Sequence, residues 1–146
     1  MGYGKVSYQY QKTNIATASK VGLVVLCYEK TIQSLTLARM SYEQKEFEAK
    51  ANALEKAIRI INELQSSLDK EKGGVIAENL DSIYSFVTRR LLEGDIKEDL
   101  TAFDDCIHIL SELKDAWEVI ASEGTEKNDP VAASISINTG ATQVAA

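Results

Sequence analysis

An all-α chain is expected, folded as an antiparallel up-and-down four-helix bundle with an N-terminal covering segment before it and a flexible C-terminal tail after it. Three features of the sequence lead there. The single proline among 146 residues is Pro130, so no earlier position is barred from a helix. Apolar residues recur at steps of three and four through four successive stretches of about 20–30 residues. The breaks between those stretches are very short, which makes consecutive helices antiparallel neighbours. The divisions that follow are an N-terminal segment over 1–18, the bundle over 19–121 and the tail over 122–146.

Residues 1–18 have no clear period but carry Tyr3, Tyr8 and Tyr10, half of the six tyrosines in the chain. Tails seldom keep aromatics, so this one is expected to pack on something. The first helix is expected from Lys20 to about Arg39, with Ser19 as N-cap. Its stripe is Val21, Val24, Val25, Tyr28, Ile32 and Leu35. Leu23, Leu26 and Cys27 fall outside that stripe, so the first two turns are apolar nearly all round. Such a helix is either central in the core or covered on a second side.

The second helix is expected to start near Tyr42, because Ser41 and Gln44 have capping-box spacing. Phe47, Leu54, Ile58, Ile61 and Leu68 form its apolar row, broadened by Ala53, Ala57, Ile60 and Leu64, and Glu46 is placed to pair with Lys50. Gly73-Gly74 reads as its left-handed stop. A third helix, Val75 to Glu93, turns Ile76, Leu80, Ile83, Val87 and Leu91 inward with Tyr84 and Phe86 flanking, and Gly94 ends it. Asp95 and Glu98 open a fourth, whose inward row runs Leu100, Phe103, Cys106 or Ile107, Leu110, Leu113 and Trp117 to about Ala121. Beyond it, residues 131–146 contain no Asp, Glu, Lys or Arg.

Composition removes several function classes. An apolar share of 45 % with 26 % charged residues is that of an ordinary folded domain. One histidine, His108, and two cysteines, Cys27 and Cys106, are too few for most zinc, di-iron or haem sites or for a disulfide framework. No cofactor is expected. A net charge of −6 gives no reason to expect nucleic acid. That charge is uneven: residues 1–41 are net basic, whereas residues 95–118 carry eight acids against Lys97 and Lys114. The N-terminus has no apolar signal region and Val21–Tyr28 is too short to span a bilayer. Cysteines in apolar settings fit a reducing compartment, so a cytoplasmic protein without membrane insertion is expected.

Catalytic constellations are equally sparse. His108 on the polar face of the fourth helix raises the alternative of a histidine phosphotransfer domain. Its neighbours Asp104, Asp105, Glu112 and Asp115 would repel a phosphoryl group, and no lysine lies one turn away. Cys27 and Cys106 lack a nearby histidine, and Gly73-Gly74 lacks a preceding strand or a following G-K-[ST]. Arg89-Arg90 reads as a solvated pair. A structural bundle that only self-associates is a further alternative.

Several strings, in order and register over about residues 8–120, resemble the FliS family of flagellar export chaperones. They are YQYQKTNIATAS (8–19), GLVVLCYE (22–29), LQSSLDKEKGGVIAENLDSIYSFVTRRL (64–91) and LKDAWE (113–118). Lys20 stands where the family usually has proline, and Gly94-Asp95 replaces a common Ala-Asn. The resemblance implies a helical bundle without enzyme activity or cofactor. It implies a chaperone that binds the disordered C-terminal region of flagellin, which becomes partly helical on it, and so prevents premature polymerisation. Other flagellar export or regulatory proteins are further implied partners, and the N-terminal segment is implied to cover part of the groove when the client is absent. The candidate partner-binding residues are then Tyr8, Tyr10 and Gln11 in the segment, Leu23, Leu26 and Cys27 in the first helix, and Leu64, Leu68 and Tyr84 beyond it.

Overall fold

The computed structural model describes residues 19–123. The expected covering segment (1–18) and the tail from residue 124 onward lie outside the described residues. Four helices make up the rest: α1 (Lys20–Glu43), α2 (Phe47–Ser66), α3 (Lys70–Lys97) and α4 (Leu100–Glu123). No strand occurs among the described residues. Cross-helix pairs give the topology. Lys50–Asp95 and Gln65–Asp81 set α2 against α3 antiparallel, and Glu29–Lys114 with Arg39–Asp104 do the same for α1 and α4. Tyr28–Tyr84 and Tyr42–Asp95 rise together, so α1 and α3 run parallel across the diagonal. The result is the up-and-down four-helix bundle that the short connections require.

Helix α1 begins where the sequence places it, with the Ser19 Oγ accepting from the Gly22 amide at 2.9 Å. It runs one turn past Arg39, and this overturns the expected start of the second helix. Ser41 is a buried residue inside α1, not an N-cap, and α2 starts only at Phe47 without a side-chain cap. The turn closes through Glu46 N–H to the Ser41 carbonyl at 2.8 Å and Lys45 N–H to the Tyr42 carbonyl at 3.0 Å. This is a Schellman motif whose left-handed residue is Lys45, at φ 61°, instead of glycine.

The same device ends α3. Asp99 N–H reaches the Gly94 carbonyl at 2.8 Å, Glu98 N–H reaches the Asp95 carbonyl at 3.4 Å, and Glu98 takes φ 55°. Gly94 is therefore inside α3 and is not its stop. Its role is steric, because a Cβ there would overlap the Ala102 Cβ at the start of α4. Nor does Asp95-x-x-Glu98 open the fourth helix. Asp99 does, with its carboxylate accepting from the Thr101 amide at 3.0 Å.

Gly73-Gly74 is likewise not the end of the second helix, which stops at Ser66 and leaves Leu68 in the connection. Asp69 caps α3 by accepting from the Lys72 amide at 3.0 Å. Gly74 then breaks the helical path one turn in, at φ 52° and ψ −127°. At the far end α4 continues to Glu123, two residues beyond the expected boundary.

The core is built around α1, which packs against both α2 and α4 and buries nearly every residue from Val21 to Tyr28. By length and composition α1 could cross a membrane, yet 61 % of its most apolar window is buried inside the bundle, as in a core helix. The inward rows of α3 and α4 hold, with Tyr84 moving from a flanking position into the core. In α2 the Ala53, Ala57, Ile60 and Leu64 row faces inward while Phe47 is 51 % exposed. Deep in this apolar interior the Tyr28 and Tyr84 hydroxyls meet at 2.5 Å, and the Trp117 indole N–H donates to the Tyr28 hydroxyl at 3.2 Å. One hydroxyl thus joins α1, α3 and α4. Burial pushes the Tyr28 phenol up to about 12 and holds Tyr84 well above its ordinary value, so both stay neutral.

Three stability outcomes are expected. Tyr28→Phe leaves the Trp117 and Tyr84 polar atoms unpartnered in the core and costs about 1–3 kcal/mol in urea unfolding. Adding Tyr84→Phe to it costs less than the two single changes summed. At the turns, Lys45→Gly and Glu98→Gly each raise stability by up to about 1 kcal/mol by relieving left-handed backbone. By contrast, Gly94→Ala lowers stability by roughly 1–3 kcal/mol through overpacking on Ala102.

Candidate functional site

The α2–α3 pair is the least closely packed of the neighbouring pairs, and polar contacts join it at each end. At one end Lys50 Nζ meets Asp95 Oδ1 at 2.6 Å, with Lys50 also 5.0 Å over the Tyr42 ring and the Tyr42 hydroxyl donating to the Asp95 carbonyl. Lys50 thus pairs across helices and not with Glu46 on its own. At the other end the Gln65 amide nitrogen donates to Asp81 Oδ1 and to Ser85 Oγ, each at 2.8 Å. Lys70 adds an ion pair to the second Asp81 oxygen at 3.0 Å. These polar clamps hold the helices in register while the side chains between them leave a groove.

The groove has two connected parts. One, of about 380 Å³, is lined by Gln65, Ser85, Thr88, Arg89, Leu92, Glu93 and Ile96. The other, of about 270 Å³, is lined by Ala51, Leu54, Glu55, Ile58, Leu92 and Asp95. Leu92 belongs to both. It is 45 % exposed and Ile96 is 82 % exposed, so apolar surface here is not consumed by the core. Thr88 Oγ1 is buried in the wall with no hydrogen-bond partner. Arg89 lies 5.8 Å from the centre of the exposed Phe86 ring at the rim.

Of the residues proposed from sequence, Tyr8, Tyr10 and Gln11 lie outside the described residues. Leu23, Cys27, Leu64 and Tyr84 are in the core, and Leu26 and Leu68 are half-buried. None of the described six lines the α2–α3 groove. Sequence reasoning missed Ile58 as a groove residue, together with Thr88, Leu92 and Ile96. The signal was present: residues 85, 88, 92 and 96 follow helical spacing along one face of α3. Reading Gly94 as a stop cut that row before Ile96.

The other candidate chemistries find no supporting geometry. His108 is an exposed residue beside Glu112 at 3.3 Å, on the acidic face of α4. The cations on that face are already engaged, Arg39 by Asp104 and Arg90 by Asp105 and Asp99. Burial raises the Cys27 and Cys106 thiols to about 12, which leaves them protonated and inert as nucleophiles at neutral pH. No cluster of three or more potential metal ligands exists among the described residues.

The Asp81 clamp has a pH signature. Hydrogen bonding from Gln65, with Lys70 beside it, holds the Asp81 carboxyl below its ordinary value. A depressed carboxylate contributes stability above the unfolded-state value and loses it as pH falls through the folded one. The expected NMR titration of Asp81 therefore has its midpoint below that of an ordinary aspartate, about 3.9. Gln65→Ala should move it upward, and an unchanged midpoint would remove the clamp.

A groove between two helices that sets Leu54, Ile58, Leu92 and Ile96 among the charged Glu55, Arg89, Glu93 and Asp95 is a protein-docking feature. Comparison with known proteins agrees with it. Residues 4–124 match the family model described as flagellar protein FliS. The chain is 36 % identical over 124 residues to the flagellar secretion chaperone FliS of Salmonella typhimurium, covering 84 % of this chain and 90 % of that protein. It is 35 % identical over 121 residues to the Vibrio cholerae FliS, covering 83 % and 87 % of the two chains. Against FliSB of Pseudomonas aeruginosa it is 32 % identical over 121 residues, with 80 % and 96 % covered. With the family model spanning the bundle from end to end, the chain belongs to the FliS family, whose curated relatives are flagellar secretion chaperones.

Proposed function

We propose that this chain is a cytoplasmic export chaperone whose client is the C-terminal region of flagellin, and that it works by binding, without catalysis or cofactor. The observation that carries this reading is the open α2–α3 groove. Between the clamps at Lys50 and Gln65 it offers about 22 Å of helix length, enough for some four turns of a client helix. A client segment would set apolar side chains at i, i+3, i+4 and i+7 against Leu54, Ile58, Leu92 and Ile96. Held there, the segment is withheld from polymerisation until export.

In this reading the sequence-proposed residues divide by depth. Leu64 and Tyr84 lie behind the groove and fix its wall, as Leu23 and Cys27 fix α1. Leu26 and Leu68 retain surface to offer. Tyr8, Tyr10 and Gln11 belong to the segment that covers apolar surface while no client is bound. Other flagellar export or regulatory proteins can compete for the same groove.

Titration of the full chain with a flagellin C-terminal fragment should give saturable heat in calorimetry and a shift in sizing. Leu92→Asp and Ile96→Asp place a charge against the client's apolar face and should each weaken binding at least about tenfold, a loss of ~1.4 kcal/mol. Because Ile96 is almost fully exposed, its replacement should leave the unfolding midpoint unchanged. No heat and no sizing shift at tens of micromolar would sink the proposal.

A further inference from the structure

The other flank of α3 carries a second apolar depression, distinct from the client groove. It has a volume of about 210 Å³ and lies between the start of α3 and the end of α4. Ile76 and Leu80 form one wall, and Leu113, Trp117 and Ile120 the other. Asn79 is polar, and no lining residue is charged. The backbone break at Gly74 immediately precedes Ile76, and Val75 beside it is 70 % exposed.

The chain itself supplies a segment of matching chemistry. Helix α4 ends at Glu123, less than one turn beyond Ile120. Residues 124–130 (GTEKNDP) hold the last charges of the chain, and residues 131–146 have none, although 26 % of the whole protein is charged. Seven spacer residues reach at most about 25 Å. The depression needs only about 10 Å of return along α4, from Ile120 to Leu113. Placing an uncharged segment there desolvates no charge on either side.

We propose that residues 131–137 (VAASISI) of this chain dock back into the α3–α4 depression and cover it, with Val131, Ile135 and Ile137 as the apolar contacts. The tether makes this economical. A short linker gives an effective concentration near the millimolar range, so a contact of only millimolar intrinsic affinity is about half filled. The cover is reversible on that account, and it shields the rim around Trp117 while leaving the α2–α3 groove to the client.

Trp117 is the only tryptophan and lines the depression with only 2 % of its surface exposed, so its fluorescence senses the cover through that edge. The comparison is the full chain against its Ile135→Asp/Ile137→Asp variant, whose substitutions fall outside residues 19–123. The variant should show red-shifted emission and a roughly twofold larger acrylamide quenching constant, as expected when a half-filled cover is lost. Its far-UV helix signal should be unchanged. A synthetic peptide of residues 129–140 should restore the original emission of the variant and have little effect on the unmodified chain. Identical emission and quenching in the two proteins would overturn the proposal. So would a response to Tyr8→Asp/Tyr10→Asp in its place, which assigns the depression to the other terminus. Dependence of the signal on protein concentration would overturn it in favour of a second copy, and protection appearing only with the flagellin fragment in favour of the client.

Discussion

A hydroxyl buried in hydrocarbon has to be hydrogen-bonded, and in this bundle the Tyr28 hydroxyl is satisfied only where α1, α3 and α4 meet in one register. It accepts from Trp117 of α4 and hydrogen-bonds the Tyr84 hydroxyl of α3, with all three side chains essentially inaccessible to solvent. Apolar packing alone tolerates a helix sliding by a turn, because the neighbouring Val, Leu and Ala rows are similar. The hydroxyl junction does not, since a slip leaves polar atoms orphaned. The register of α3 against α1 and α4 follows from it, and with it the placement of every residue on the far face of α3.

That placement also leaves apolar surface unused by the core. Helix α1 consumes the inward faces of its neighbours, so α2 and α3 are held to each other chiefly at their ends, by Lys50–Asp95 and by Gln65 on Asp81 and Ser85. Leu92 between those clamps and Ile96 just past Asp95 keep apolar area that the core does not need, beside the half-buried Ile58. A chaperone for an export client requires such a surplus of apolar surface. The fold thus reconciles a stable core with an unfilled face by separating the two around α3.

Much of this was legible in the residues. The bundle, the inward rows of α1, α3 and α4, and the Ser19 cap follow from periodicity and from one hydroxyl ahead of an apolar run. The turns were not legible, for a definite reason. Both helix ends on the Lys45 and Glu98 side use non-glycine residues in the left-handed conformation, while the glycines at 73, 74 and 94 do other work. Gly94 admits the close approach of Ala102, and Gly74 bends α3. Glycine marks where a Cβ is unwelcome, and sequence cannot say whether backbone angle or a neighbour is the cause. The misread stop at Gly94 carried through to function by truncating the row that ends at Ile96.

By itself the sequence determined the helices, their antiparallel order and the family likeness, because these rest on local periodicity and on residue types. Only the tertiary structure decided which apolar residues enter the core and which stay exposed. Leu64 and Tyr84 face inward while Leu92 and Ile96 do not, although all four are apolar or aromatic residues on amphipathic helices. The difference lies in how each helix is rotated about its axis, and that rotation is set by contacts between residues far apart in the chain.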